Sequence, residues 1–85
     1  MFTVIWSGGA LDELADAFVQ ADLPTRQSIE SQVTQLNADL ADEPMGVGES
    51  RARDTDRIVF AGRVSATYRV EPANRVVRVG HFRWS

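Results

Sequence analysis

Apolar and polar residues alternate at the start of the chain. Phe2, Val4 and Trp6 occupy every second position of the first apolar run. A period of two places these three side chains on the same face of an extended segment. The pattern therefore predicts a β-strand over residues 2–6 with one face towards a core.

The spacing of apolar residues then changes to that of two helices. Ser7 is a typical N-cap, and the first helix is predicted to run to about residue 20. Asp22 and Pro24 favour the start of a second helix, which Pro44 ends. The apolar positions of both helices recur every three or four residues: Leu11, Leu14, Ala15 and Phe18 in the first, and Ile29, Val33, Leu36 and Leu40 in the second. The short connection between them predicts a helical hairpin.

Three more strands are predicted after a glycine-containing loop over residues 45–56, with turns at Ala61-Gly62 and Pro72-Ala73-Asn74. Alternation assigns one face of these strands to the core: Ile58, Phe60, Ala66, Tyr68, Val70, Val77 and Val79. The other face receives four arginines, with two aromatic residues near its end: Arg57, Arg63, Arg69 and Arg78, then Phe82 and Trp84. The order β-α-α-β-β-β predicts one α+β domain over residues 1–85, with the helical hairpin packed on one face of an antiparallel sheet.

Composition narrows the class of protein. The chain has 85 residues, of which 44% are hydrophobic and 25% charged, as in small globular domains. A core of this size is thin, so a protein partner or a homodimer would add buried surface. The absence of cysteine removes disulfides and thiolate metal sites and fits a reducing compartment. Because no signal peptide and no run of ~20 apolar residues is visible, we expect a cytoplasmic protein without a membrane segment.

Charge is distributed unevenly along the chain. Residues 1–50 contain nine acidic residues and one arginine, whereas residues 51–85 contain eight arginines and three acidic residues. Every basic residue is arginine, whose planar guanidinium makes two-pronged contacts with phosphate or carboxylate and stacks on bases. A genome rich in GC would produce the same bias. The C-terminal half therefore carries the candidate binding chemistry.

Three fragments of the chain carry a family resemblance. They are Val4-Ile5-Trp6-Ser7 followed by Ala10 and Leu14, the strand Arg57-Ile58-Val59-Phe60, and the hairpin from Tyr68-Arg69-Val70 to Val76-Val77-Arg78-Val79. In this order, with two amphipathic helices between the first and second fragments, they resemble the RelE/ParE superfamily, the toxin half of bacterial type II toxin–antitoxin pairs. The resemblance spans essentially the whole sequence.

The resemblance implies an antitoxin partner and one of two targets. RelE-like members are ribosome-dependent ribonucleases that act on mRNA through basic residues of an open sheet face and a tyrosine or histidine near the C-terminus. ParE-like members inhibit DNA gyrase and need no nuclease site. In this superfamily the antitoxin commonly covers the cationic surface with an acidic or amphipathic segment.

The match to RelE-like enzymes is partial at individual positions. Arg57 corresponds to a basic residue on the first hairpin strand, and Arg83 resembles the basic residue near the end of the last strand. Ser65 stands where an arginine is expected, although Arg63 or Arg69 would reach the same surface. The sequence also lacks a terminal tyrosine. A non-enzymatic interaction module on the same scaffold is therefore the alternative.

His81 is the one histidine of the chain, and its ordinary pKa suits proton transfer near neutral pH. By alternation it shares a face with Val77 and Val79, which predicts a half-buried structural role instead. No metal site is predicted, because one histidine and scattered carboxylates form no ligand set. No cofactor motif is present either, and Gly8-Gly9 is interpreted as a tight turn.

The arginine face admits three interpretations. Next to Phe82 and Trp84, its guanidinium groups would neutralise phosphates and stack unpaired bases of RNA. Alternatively, the arginines pair with neighbouring carboxylates on a solvated sheet face. The third interpretation is a surface for a protein partner such as the antitoxin.

Overall fold

A computed structural model describes all residues from Met1 to Ser85. Two helices and five strands follow one another in the chain: β1 (Thr3–Trp6), α1 (Gly8–Gln20), α2 (Leu23–Asp42), β2 (Glu49–Ser50), β3 (Asp56–Ala61), β4 (Val64–Glu71) and β5 (Val76–Trp84). The α+β class and the helical hairpin are confirmed. The two-residue strand β2 was not predicted, and Pro72–Asn74 forms a 3-10 turn where a turn was expected.

Both helices begin at side-chain caps. The Ser7 hydroxyl oxygen accepts a hydrogen bond from the backbone N–H of Ala10 at 3.1 Å. The Asp22 carboxylate accepts one from the N–H of Thr25 at 2.9 Å, and hydrogen bonds with the side chain and then the backbone of Thr25 lower the pKa of Asp22. Such caps satisfy backbone donors that the first helical turn leaves without partners.

The sheet has the strand order β1-β5-β4-β3-β2. β1 pairs in parallel with β5, and the other three pairings are antiparallel. The sheet is therefore mostly antiparallel, with one parallel edge. The two longest strands, β4 and β5, lie side by side at its centre.

The core lies between one sheet face and the helices. It contains twelve buried side chains from both layers: Ala10, Ile29, Leu36, Leu40, Val59, Val64, Ala66, Tyr68, Val70, Val77, Val79 and Phe82. Phe2, Val4 and Trp6 pack against this cluster as the alternation in β1 predicts. Trp6 also donates its indole N–H to the amide oxygen of Asn37 at 2.8 Å, which joins β1 to α2. Neither helix has the length and apolar composition needed to cross a membrane.

The predicted faces of β3 are wrong. Val59 is buried, whereas Phe60 is 68% exposed and Ile58 is only partly buried. The register explains the reversal, because Arg57 pairs with Tyr68 and Val59 pairs with Ala66, both of which face the core. Directly paired residues lie on the same face of a sheet. Arg57 therefore lies on the core side and is itself buried.

A β-bulge in β5 reverses the predicted faces of the last residues. Tyr68 pairs with Val79 and Thr67 pairs with His81, so Gly80 is an extra residue between the two pairs. One inserted residue changes which side chains face the core. Phe82 is consequently buried, and His81 is exposed instead of half-buried.

Candidate functional site

The sheet face that points away from the helices, called the open face below, is built from three rows of paired residues. The rows run across β3, β4 and β5: Asp56, Arg69 and Arg78; Ile58, Thr67 and His81; Phe60, Ser65 and Arg83. Ile5 of β1 extends the first row beside Arg78. Of the arginines predicted for this face, Arg69 and Arg78 lie on it.

Arg69 and Arg78 are paired directly across β4 and β5. Two like charges in such a position destabilise a sheet, and each guanidinium here has its own carboxylate. Arg69 Nε lies 2.7 Å from Asp56, and Arg78 Nε lies 2.5 Å from Glu71. The hydrogen bonds from the arginines lower the pKa of both carboxyl groups. Because the arginines remain more than half exposed, these ion pairs are easily exchanged for another anion.

A cleft of about 580 Å³ opens over the first row. The loop before β3 forms one wall, where Arg51 donates its backbone N–H to the carbonyl oxygen of Asp56 at 2.7 Å. Nine residues line the cleft, four of them arginines: Arg51, Ala52, Asp56, Arg57, Thr67, Tyr68, Arg69, Arg78 and Gly80. Arg69 and Arg78 each place an exposed guanidinium group in this cleft, which makes it a cationic concavity.

Arg57 is the buried member of this group, with 9% of its surface exposed. Its Nη1 and Nη2 atoms donate to the carbonyl oxygens of Asp54 and Gly48 at 3.0 and 2.5 Å. Its Nε has no partner, and no carboxylate lies within ion-pair distance. A buried cation without a counter-ion is costly and favours an anion beside it. The predicted open-face position of Arg57 is wrong, but the residue still contributes to the cleft wall.

Tyr68 adjoins Arg57 and fixes the loop that covers it. Its hydroxyl donates to the carbonyl oxygen of Pro44 at 2.7 Å. Burial raises the pKa of Tyr68, while the neighbouring Arg57 opposes that change. The phenol is therefore neutral at physiological pH and serves as a hydrogen-bond donor.

His81 lies on the open face in the row beside the cleft. Its side chain is 75% exposed, and its Nδ1 lies 3.4 Å from the Glu13 carboxylate of α1. The same carboxylate oxygen accepts the backbone N–H of Phe82 at 3.3 Å. The Glu13 carboxylate therefore lies beside the imidazole at the edge of the sheet. An exposed histidine next to a carboxylate suits acid–base chemistry.

The other predicted site residues lie in different places. Arg63 is in the β3–β4 turn, where it donates to the carbonyl oxygen of Ser85 and lies 5.0 Å from the centre of the Trp84 ring. Trp84 packs against the core beside Val64, so the predicted placement of Arg63, Phe82 and Trp84 on the open face is wrong. Arg83 is exposed on the open face and has no carboxylate partner.

Three residues of the site were missed from the sequence. Arg51 reaches the cleft through the fold of a loop that carries no periodic signal. Glu13 meets His81 across 68 positions of sequence, which a helical charge pattern does not reveal. Phe60 was assigned to the core because the phase of β3 is ambiguous in an almost entirely apolar run.

A second concave surface lies between the two helices. Its volume is also about 580 Å³, and seven of its nine lining residues are apolar: Leu11, Leu14, Ala15, Phe18, Val19, Ile29 and Val33, with Glu30 and Thr34. Leu11 and Val19 are at least half exposed. Arg26 of α2 joins the two helices by donating to the carbonyl oxygen of Phe18 at 2.8 Å. We call this surface the hairpin groove.

Comparisons with known proteins identify the fold. No protein-family model and no curated protein matches the sequence. A chain of the RelBE2 toxin–antitoxin complex from Mycobacterium tuberculosis superposes with a TM-score of 0.79 at 20% identity, covering 99% of this chain and 91% of that one. A chain of the chromosomal ParDE toxin–antitoxin system of P. aeruginosa gives 0.75 at 15% identity, covering 99% and 96%. The isolated RelE toxin of E. coli gives 0.65 at 13% identity, covering 100% and 85%. This chain therefore has the fold of the RelE and ParE toxins.

Proposed function

We propose that this protein is the toxin of a bacterial type II toxin–antitoxin system and that it acts in the cytoplasm on RNA at the ribosome through its open face. The cleft over Arg69 and Arg78 is the observation that carries the proposal. It is a cationic concavity on an uncovered sheet, in a chain with the fold of RelE and ParE toxins. The arginines are the groups that a polyanionic target needs.

Phosphate binding in the cleft requires only local rearrangement. A phosphate that approaches Arg69 and Arg78 replaces the carboxylates of Asp56 and Glu71 as their partner. Exposed ion pairs of this kind contribute about 0 to 1 kcal/mol each, so the exchange costs little. Bidentate contacts between guanidinium and phosphate then hold the RNA backbone. In the absence of RNA, the ion pairs with Asp56 and Glu71 reduce the repulsion between Arg69 and Arg78.

In the proposed cleavage of the bound RNA, His81 is the residue that transfers the proton. The imidazole takes the proton of a ribose 2′-hydroxyl, the 2′-oxygen attacks the adjacent phosphorus, and the bond from phosphorus to the 5′-oxygen breaks. The leaving 5′-oxygen takes a proton from water, so the products are a 2′,3′-cyclic phosphate and a 5′-hydroxyl. Arginines beside the phosphate stabilise the charge that develops on its oxygens. Glu13 lies on the Nδ1 side of the ring, 3.4 Å away, so Nε2 is the nitrogen proposed to contact the substrate.

A non-enzymatic interaction module is the second candidate. Its support is that Arg69 and Arg78 already have carboxylate partners within the chain and that Ser65 occupies the position where an arginine is expected. In that case the open face binds an acidic protein segment by the same exchange of anions. Inhibition of DNA gyrase, the ParE-like activity, also requires no nuclease residues.

The double substitution Arg69→Ala/Arg78→Ala is expected to abolish growth arrest when the protein is expressed from an inducible promoter in E. coli. Both guanidinium groups leave the cleft, while Asp56 and Glu71 remain and repel phosphate. Arg63→Ala is the matched control, because it removes a guanidinium group that lies outside the open face. Growth curves are compared at equal protein levels, with thermal unfolding measured for each variant.

The outcomes separate the candidate functions. Arrest by the wild type that the double variant loses, together with cleavage of ribosome-bound mRNA, supports the RNA-directed toxin. Arrest with intact mRNA and inhibited supercoiling by purified gyrase supports the ParE-like target. Normal growth of cells that express soluble wild-type protein supports the interaction module. Arrest that the double variant retains would remove the open face from the mechanism.

The antitoxin is proposed to dock in the hairpin groove as well as on the open face. The groove presents an apolar floor of a size suited to the apolar side of one helix. Glu30 lies in its lining, and residues 1–50, which include both helices, carry nine acidic residues against one arginine. A second copy of this chain would bring like charges together, so the complementary segment is an amphipathic helix with basic flanks.

The double substitution Leu11→Ser/Val19→Ser is expected to preserve toxicity and to weaken rescue by a co-expressed antitoxin from the adjacent reading frame. Both side chains are exposed in the isolated chain, so the change costs little folding energy but removes buried apolar area from the complex. Leu23→Ser is the control, because Leu23 is 71% exposed and lies outside the groove. Equal rescue of all variants would exclude the groove from the interface.

A further inference from the structure

Phe60 is an aromatic side chain exposed on the open face. It is 68% exposed, and its row continues through Ser65 to Arg83. Exposure of a phenylalanine ring to water is unfavourable, because its large apolar surface is not buried. Ala61 and Gly62 complete the turn beyond it, and no helix covers this side of the sheet. The ring is therefore available to a ligand that has a flat surface of its own.

The surroundings of Phe60 distinguish a nucleobase from an apolar protein segment. Its direct cross-strand partner is Ser65, Arg83 follows one strand further on β5, and the next row contains Ile58, Thr67 and His81. The hairpin groove, by contrast, has seven apolar residues of nine, as a docking surface for a helix requires. One aromatic ring and one aliphatic side chain, Ile58, among hydroxyl, imidazole and guanidinium groups match an unpaired base, which stacks on the ring and leaves its polar edges to these groups.

The distance between Phe60 and the cleft fits a strand of RNA that crosses the sheet. Asp56 and Phe60 are four residues apart on β3, which is about 13 Å at ~3.3 Å per residue. A base on Phe60 and a phosphate in the cleft therefore belong to different nucleotides of the same strand. Arg83, in the row of Phe60, has no carboxylate partner and is placed to contact the phosphate next to the stacked base.

We infer that Phe60 is a stacking platform for an unpaired base of single-stranded RNA, with the adjoining backbone held by Arg83 and continued into the cleft. The inference rests on the proposed RNA-directed function and adds a contact that depends on the base. Stacking on a phenyl ring is tolerant of base identity, so the platform selects single strands over duplexes. Bases inside a duplex are already stacked and do not reach a side chain on a sheet.

The test uses fluorescein-labelled single-stranded poly(A) RNA and purified full-length protein, with affinity measured by fluorescence anisotropy at several salt concentrations. Phe60→Leu is expected to weaken binding about ten-fold, because loss of one base stack lies within the range measured for such contacts. Phe60→Trp keeps an aromatic ring at this position and is expected to bind the RNA as tightly as the wild type. The dependence of affinity on salt should be unchanged in both variants, since no phosphate contact is lost.

Two controls identify the type of contact. Arg69→Ala/Arg78→Ala is expected to lower the salt slope by roughly 1.4, because each phosphate contact of a single strand contributes roughly 0.7. Leu23→Ala removes an exposed apolar side chain that lies outside both the open face and the hairpin groove, and this variant is expected to bind like the wild type. Blunt RNA duplex of the same length should be bound equally by the wild type and by Phe60→Leu.

The results separate this inference from the proposed function. If Phe60→Leu binds poly(A) as the wild type does, while the double arginine variant fails, the cleft binds RNA and the stacking platform is refuted. If the wild type binds no poly(A), both are refuted for direct RNA contact. If Phe60→Leu keeps RNA affinity but loses the complex with the co-expressed antitoxin, Phe60 is a protein contact and the inference is overturned.

Discussion

Gly48→Ala is expected to lower the free energy of unfolding by about 3 kcal/mol. A Cβ at this position would lie 2.8 Å from the carbonyl oxygen of Ile58 and 3.1 Å from Cζ of Tyr68. The first of these is backbone of a sheet strand and cannot rotate away, so the loop must move. Overpacking typically costs about 1 to 3 kcal/mol, and the rigid neighbour places this site at the upper end. For a chain of this length that is a large share of the expected ~4 to 13 kcal/mol.

Gly46→Ala is the matched control in the same loop. Its Cβ would meet the carboxylate oxygen of Glu43 at 2.9 Å, and the end of a flexible exposed side chain can turn aside. Urea unfolding followed by circular dichroism compares the two variants. Equal midpoints would show that the loop yields freely at Gly48. A selective loss at Gly48 would show that the loop is held against Tyr68 and β3.

The helical half of the fold is predictable because its signals are local. The spacing of Ile29, Leu36 and Leu40 marks the buried stripe of α2, and all three are buried. The caps at Ser7 and Asp22 are likewise specified by residues within one turn of the helix starts. The spacing of apolar residues along a helix also identifies which face of the helix is apolar, so the buried face follows from the local sequence alone.

The phase of the strands was less predictable, for a physical reason. In β3 the run Ile58-Val59-Phe60 is apolar at three consecutive positions, so either alternation is compatible with it. Pairing with β4 decides the phase, and that pairing is a long-range property. A shift of one residue transfers a whole set of side chains to the other face. The bulge at Gly80 has the same effect on Phe82, which no alternation rule anticipates.

The composition of the site follows from these two reversals. Arg57 is predicted on the open face but lies buried in the cleft wall, and Phe60 is predicted in the core but lies on the open face. Phe82 is predicted on the open face but lies in the core. The alternation thus predicts an arginine-bearing sheet face with aromatic residues, but it assigns Phe82 and Trp84 to that face instead of Phe60.

Arg57→Met is expected to weaken poly(A) RNA binding about 100-fold and to abolish growth arrest. Arg57 lines the cleft from the core side of β3, and loss of one partner of a buried charge pair typically costs about 2 to 5 kcal/mol of binding free energy. Methionine is unbranched and fills irregular space. The substitution removes two hydrogen bonds, which destabilises the fold, but it also removes the cost of burying a cation without a counter-ion. The free energy of unfolding should therefore fall by only about 1 kcal/mol, measured by urea unfolding.

Two further variants separate a ligand-binding role from a structural one. Arg26→Met is the matched control, because Arg26 also donates to two backbone carbonyl oxygens, those of Phe18 and Val19, and lies far from the open face. It should lose similar stability and keep growth arrest. Arg57→Lys retains the charge without the planar fork and should restore part of the RNA affinity. Growth arrest by Arg57→Met at wild-type strength would show that the buried guanidinium only ties the loop to β3. Loss of arrest in that variant, with Arg26→Met still toxic, would mean that the fold tolerates a buried unpaired cation because the target supplies its counter-ion.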